Sequence, residues 1–312
     1  MRPNLLPETL VAPVLLLVVL VGGVAALSPS FLSPYSFSVL ASEASALLAL
    51  AAGQCLVVLL GGIDLASAAL ASLASVLIAI AVPGWGVLGI AGAVLIVAAL
   101  GGLQGLAHVV AQVPSFVVTL AGLGIWSGIA LTIAPATVPI AGDPVLDWLA
   151  TDTAGVPHSF LLALALLGAA GFGLERLPFG RYVRAIGHGE RAALLSGVEV
   201  RRVKVVAFAT SGFCAGIAGL ILAARLSSGS PTLAHDLLLP SIAAVIVGGT
   251  STAGGVGGIG RTLVGGLIIE VLRSGVALTG LSPALEPIAY GALVVAAAAV
   301  IRARSQPGAG HG

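Results

Sequence analysis

Four ionisable residues, Asp64, Glu190, Glu270 and Arg273, stand in settings from which they could carry chemistry in a chain that is otherwise overwhelmingly apolar. Asp64 lies in Gly61-Gly62-Ile63-Asp64-Leu65, between two apolar runs. A carboxylate there has two uses. It can mark a polar route through an apolar layer, or it can cap the helix that follows by accepting free backbone N–H groups, with Gly61 and Gly62 making the turn. The two uses are compatible. Glu270 and Arg273 are three apart in one apolar run. Ionised groups in such surroundings cost several kcal/mol unless paired or wet, so a mutual ion pair on one helix face or the lining of a polar pathway would account for them. Glu190 opens Glu190-Arg191-Ala192-Ala193-Leu194-Leu195-Ser196-Gly197, which reads as a short helix. Its acid would sit at the positive end, and Gly197 would act as the C-cap. Ala192 and Leu195 make a small apolar face on a polar segment, suited to a groove on a partner protein. The alternative is a solvated connector whose charges only set orientation.

Enzymatic chemistry finds no support. No serine or cysteine stands with a histidine and a carboxylate in a nucleophilic arrangement, and His108, His158, His188 and His235 are scattered without metal spacing. Cys55 and Cys214 both lie in apolar stretches and read as two buried thiols or, alternatively, as a disulfide or metal pair. A phosphate-cradling Walker motif needs Gly-Lys-Ser/Thr. The single lysine, Lys204, follows Val203, so nucleotide hydrolysis of that type would have to reside in another chain. No cofactor is expected. Net charge is +1, which gives no basic face for nucleic acid.

The elements that must position these residues follow from composition. The 312 residues are 58% hydrophobic and 8% charged, with a mean hydropathy of +1.16, whereas soluble domains carry about 25% charged residues. Lipid is therefore the expected solvent. A spanning helix needs ~20 apolar residues, and hydropathy predicts ten segments at 10–27, 37–60, 65–82, 86–107, 115–134, 158–175, 204–224, 237–248, 262–279 and 284–301. The expected fold is an all-α integral membrane protein of about ten transmembrane helices with short connections, forming one transmembrane domain over 1–312. The first run follows Arg2 and mimics a secretory signal, but it is longer than a signal core and reads as the first span. The eighth is short and runs into Gly248-Gly249-Thr250-Ser251-Thr252-Ala253-Gly254-Gly255, as a broken or half helix would. Irregular backbone at membrane depth survives only where protein or water covers it. Glycine numbers 43, and Gly212-x-x-x-Gly216 fits close helix packing in lipid.

Orientation follows from the basic residues. The segment 176–204 holds seven of the 13 Lys and Arg, while 135–157 holds none and carries Asp143, Asp147 and Asp152. The positive-inside rule places 176–203 in the cytoplasm and 135–157 outside. Six spans precede the basic segment and four follow it, so both termini are expected inside, with which Arg2, Arg302 and Arg304 agree. Arg225 falls on the outer side.

Several short blocks occur in a fixed order: Ser28-Pro29-x-Phe31, Gly61-Gly62-Ile63-Asp64-Leu65, Pro114-x-Phe116-Val117-x-Thr119-Leu120, Gly180-Arg181-Tyr182, Leu195-Ser196-Gly197-Val198, Ala224-Arg225-Leu226-Ser227-Ser228-x-x-Pro231-Thr232 and Ile242-Ala243-Ala244-Val245-Ile246-Val247-Gly248-Gly249-Thr250-Ser251. On these blocks the chain resembles, over nearly its full length, the permease subunits of ribose-type (simple sugar) ATP-binding-cassette importers. The resemblance implies a multi-pass protein of the cell (inner) membrane that moves a small polar solute inward. Its implied partners are two cytoplasmic ATP-binding subunits, an extracytoplasmic solute-binding protein and a second permease copy or homologue. It further implies that Gly187 to Gly197, including Glu190, Ala192, Leu195 and Ser196, couples to the ATPase. Branched-chain amino acid permeases share related glycine-rich motifs, though the blocks fit the sugar branch better. A secondary transporter or channel is the alternative class, expected to show ionisable residues inside several spans.

Three departures stand out. Gly187-His188-Gly189-Glu190-Arg191-Ala192 replaces the Gly-Gly-Asn-Glu-Ala-Ala common in the family, and Leu237-Leu238-Leu239-Pro240 replaces a Tyr-Glu-Leu-Asp stretch. Glu270 and Arg273 occupy positions that are usually small or amide-bearing. These changes leave the solute open, and leave open whether the permease pairs with itself or with an unlike partner.

Overall fold

The computed structural model describes residues 5–280 and 282–305. Arg2 and the side chains of Arg302 and Arg304 lie outside the described residues. The chain forms an all-α membrane bundle. Six long helices and one short one run before the basic segment: α1 (Leu5–Leu27), α2 (Pro34–Leu59), α3 (Ser67–Trp85), α4 (Val87–Ala111), α5 (Ser115–Ile133), the seven-residue α6 (Pro144–Ala150) and α7 (His158–Arg176). The basic segment is α8 (Pro178–His188) and α9 (Glu190–Leu195). Then come α10 (Val200–Leu226), α11 (Leu238–Val247), α12 (Ile259–Leu278) and α13 (Glu286–Ser305). Each of the ten predicted segments overlaps one of these helices, with different ends. Among the described residues, seven helices are long and apolar enough to cross a membrane. Helix α12 has the length but carries Arg261, Glu270 and Arg273. Helix α11, with ten residues, reaches only ~15 Å at 1.5 Å per residue, about half the ~30 Å hydrocarbon thickness.

Local chemistry sets several helix boundaries. Ser33 accepts from the Ser36 amide at 3.1 Å and Pro34 supplies the pre-set φ of the first helical position, so α2 starts before the apolar run alone indicates. Gly86, at φ +49°, breaks the chain between α3 and α4. The connection between α5 and α7 is not a plain loop. Asp143 accepts from the amides of Val145 and Leu146 at 3.0 and 3.3 Å, starting α6, whose Leu146 and Leu149 bury against Ile78, Ile90 and Leu220. His158 stacks on Trp148, with ring centroids 4.3 Å apart. Two-residue strands pair Val138–Pro139 with Ser228–Gly229 and Asp152–Thr153 with Val156–Pro157.

Helix α2 is the hub. From Ala44 to Leu59 every residue is buried, surrounded by α3, α7, α10, α11 and α12. Helix α10 crosses α4, α2 and α3 through its small residues. A Cβ on Gly212 would lie 2.6 Å from the Val97 carbonyl oxygen and 3.1 Å from Gly101 Cα, and one on Gly216 would lie 3.1 Å from Val94 Cα. Lipid is as apolar as leucine, so such close approach, which multiplies dispersion contacts, is what holds helices together there.

Candidate functional site

The basic segment holds two helices where one was expected. Helix α8 is amphipathic: Gly180, Val183 and Ile186 are buried while Arg181 and Tyr182 are exposed. The three-to-four residue spacing of the apolar positions gives it a face to bury. Gly189 turns the chain into α9, and Gly197, at φ +84°, follows its end. On α9, Ala193 is buried and Ala192 is exposed, while Leu195 is 83% exposed. The Glu190 carboxylate accepts from the Lys204 ammonium at 2.7 Å.

Three glycine motifs far apart in the chain meet beneath this segment. A Cβ on Gly187 would collide with the Leu59 carbonyl oxygen and the Gly255 amide nitrogen. A Cβ on Gly254 would come within 2.9 Å of both Gly187 Cα and the Gly61 nitrogen. The Gly255 amide donates to the Leu59 carbonyl at 2.9 Å. Bare backbones therefore join the end of α2, the α8–α9 turn and the loop after α11. Two arginines fasten that loop from outside: Arg184 donates to the Gly257 carbonyl at 2.7 Å and Arg261 to the Gly249 carbonyl at 3.1 Å. At the loop's other end, Gly248 abuts the Arg261 carbonyl of α12, and Gly249 takes φ +93°.

The α2–α3 connector continues from this junction. Asp64 is fully buried. Its Oδ1 accepts from the amide of Ala66, the residue that precedes α3, at 3.0 Å, so Asp64 closes the turn into that helix and is not its N-cap, which is Ala66; its Oδ2 accepts from the Ser211 hydroxyl of α10 at 2.8 Å. On α5, the Ser115 hydroxyl accepts from the Ile63 amide at 3.2 Å and the Thr119 hydroxyl donates to the Ile63 carbonyl at 3.1 Å. A Cβ on Gly62 would lie 2.8 Å from Ser115 Oγ. One five-residue motif thus ties together four helices. Sequence reasoning found Asp64 but not its partner Ser211, since a hydroxyl in an apolar run carries no periodic signal.

Toward the opposite end of the bundle, Arg273 donates to Glu270 and to Glu286 of α13, each at 3.4 Å, and the Tyr290 hydroxyl donates to Glu286. Arg273 is thus shared between two acids rather than paired with Glu270 alone. Glu43 of α2 pairs with Arg225 of α10 at 2.7 Å. Glu43, Glu270, Arg273 and Glu286, with Tyr35 and Ser36, line a cavity of about 310 Å³. The Glu43–Arg225 pair escaped sequence reasoning because its partners lie on helices distant in the chain. Breaking a buried pair by removing one partner costs ~3–5 kcal/mol, and Glu270 is only 2% exposed. Arg273→Ala should therefore lower the thermal midpoint and yield of the purified protein. Adding Glu270→Gln to that variant should recover part of the loss, and full additivity of the two changes would show that the groups do not interact.

A profile of the family described as "Branched-chain amino acid transport system / permease component" matches residues 36–298, and the chain belongs to this family. It is similar to the ribose import permease protein RbsC of Bacillus subtilis, 36% identical over 308 residues, covering 94% of this chain and 92% of the relative. It is also similar to the probable ABC transporter permease protein YphD of Escherichia coli, 41% identical over 192 residues, covering 60% of this chain and 57% of that protein. The xylose transport system permease protein XylH of Escherichia coli is 38% identical over 172 residues, 53% of this chain and 44% of the relative.

Proposed function

We propose that this chain is a single-domain permease subunit of an ATP-binding-cassette importer for a monosaccharide or related small polar compound. It works in the cell (inner) membrane with both termini and α8–α9 in the cytoplasm. Cytoplasmic ATP-binding subunits supply the hydrolysis, an extracytoplasmic binding protein delivers the solute, and a second permease subunit completes the pathway. The names of the ribose and xylose relatives support the solute class. The observation that carries the mechanism is the glycine junction at Gly61, Gly187, Gly254 and Gly255. A partner pushing on Ala192 and Leu195 moves α8–α9, and the bare backbone contact passes the displacement to the Asp64 connector, which holds α3, α5 and α10. The free energy enters as a shift between two arrangements of the bundle.

Leu195→Asp tests the docking face. The side chain is 83% exposed, so folding should change by no more than ~0.5 kcal/mol, while co-purification of the co-expressed ATP-binding subunits and sugar-stimulated ATP hydrolysis should both be lost. Uptake by the permease alone in liposomes, without nucleotide, would overturn the proposal in favour of a secondary transporter.

A further inference from the structure

A second cavity, of about 650 Å³, opens beside α9 between the α4–α5 turn and the start of α10. Its wall carries Arg191, Arg201, Lys204 and His108, against one carboxylate, Glu190. Lys204 is the deepest cation, its side chain 12% exposed, and it is joined to Glu190 at 2.7 Å. Neither Arg191 nor Arg201 has a carboxylate partner among the described residues. His108 is held in place, its Nδ1 donating to the Val113 carbonyl at 2.7 Å and its ring tilted over Phe208 at 5.9 Å. The first turn of α10 adds its positive end to the same space. The cavity is thus a preformed cationic hollow with charge to spare, and its size exceeds what the side chains need for one another.

What it would take follows from its surroundings. Val109 and Val113 share its lining, and Leu106, Val110, Phe116 and Val117 are large apolar side chains exposed on the adjoining turns of α4 and α5. These residues lie on α4 and α5, both long and apolar enough to cross a membrane, and the hollow opens at the ends of those two helices. Basic pockets among membrane helices at this level recognise anionic lipid headgroups. We propose that the cavity binds the phosphodiester headgroup of an anionic phospholipid. Arg191 and Arg201 grip the phosphate oxygens, Arg being suited to two-point contact with phosphate, and the acyl chains run along α4 and α5. Arg191 and Leu194 come from α9 while His108 and Gln112 come from α4 and its end, so a bound headgroup bridges the short helix to the bundle.

The test uses the full-length permease in neutral detergent, with lipid retention read by native mass spectrometry, and does not depend on transport. Phosphatidylglycerol should be retained in preference to phosphatidylcholine. Arg191→Gln and Arg201→Gln should each weaken retention about fivefold and the double variant about 25-fold, with the preference fading as salt rises. Arg176→Gln, outside the cavity, should leave it unchanged, and thermal midpoints check that every variant is folded. Equal retention of the two lipids, or wild-type retention by a folded double variant, would overturn the proposal. Displacement of phosphatidylglycerol by millimolar inorganic phosphate would assign the site to a soluble phosphate and overturn the lipid.

Discussion

Gly187→Ala is expected to cut nucleotide-driven uptake by more than tenfold while leaving the ATP-binding subunits attached. The cost is purely steric. The new methyl group meets the Leu59 carbonyl oxygen and the Gly255 amide nitrogen, both backbone atoms engaged with each other at 2.9 Å, so neither can turn aside as a side chain would. Helix α8 has to lift from the end of α2, and overpacking of this kind costs ~1–3 kcal/mol. The exposed face of Ala192 and Leu195 is untouched, so docking persists while the displacement no longer reaches Asp64. The check is the ratio of solute imported to ATP hydrolysed in proteoliposomes. An unchanged ratio would show that motion passes elsewhere, since spatial adjacency alone does not prove coupling.

The second large effect concerns assembly. Gly101→Leu and Gly212→Leu should each prevent recovery of a monodisperse, folded permease. At this crossing of α4 and α10 a Cβ on Gly101 would stand 2.5 Å from the Phe208 carbonyl oxygen, and one on Gly212 2.6 Å from that of Val97. Separating the two helices would also loosen α2, because Gly53 leaves only 2.9 Å between its own would-be Cβ and Ser211 Cα on α10. The Ser211 bond to Asp64 lies on the same turn. Even alanine at either position should cost ~1–3 kcal/mol. Gly124→Ala on α5, where a Cβ meets nothing within 4 Å, should be neutral or slightly stabilising, as expected when a glycine is replaced in an uncrowded helix. Gel filtration of solubilised membranes and thermal melts distinguish these outcomes. Three indistinguishable profiles would remove the crossing from the account.

The membrane elements were legible because their signal is compositional. An apolar run of about 20 residues in a chain with few charges has few other uses, and the half-length eighth segment betrayed itself by running into Gly248-Gly249. The stop at Gly197 was legible because helix termination is a local matter, whereas Asp64, expected as an N-cap, instead closes the turn onto Ala66, which holds that place. Helix α8 was not, since seven basic residues over 176–204 read first as an orientation signal and hid the spacing of Val183 and Ile186. Helix α6 was hidden by its shortness. The contacts that define the site were invisible for a different reason. Gly61, Gly187 and Gly255 come from three separate parts of the chain, and nothing in a glycine's neighbours states which backbone will lie against it. The same holds for Glu43 and Arg225, and for the second acid, Glu286, that shares Arg273.

The burial of α2 has a consequence for how the protein is made. This helix is made early relative to its neighbours, since α7, α10, α11 and α12, which enclose it, are synthesised after it. Until they arrive, Ser45 and Gln54, both fully buried in the finished bundle, must face hydrocarbon or remain sheltered by the insertion machinery. Nascent chains halted before α10 should therefore be held back at the translocation channel or degraded, whereas chains that include α12 should be released into the bilayer.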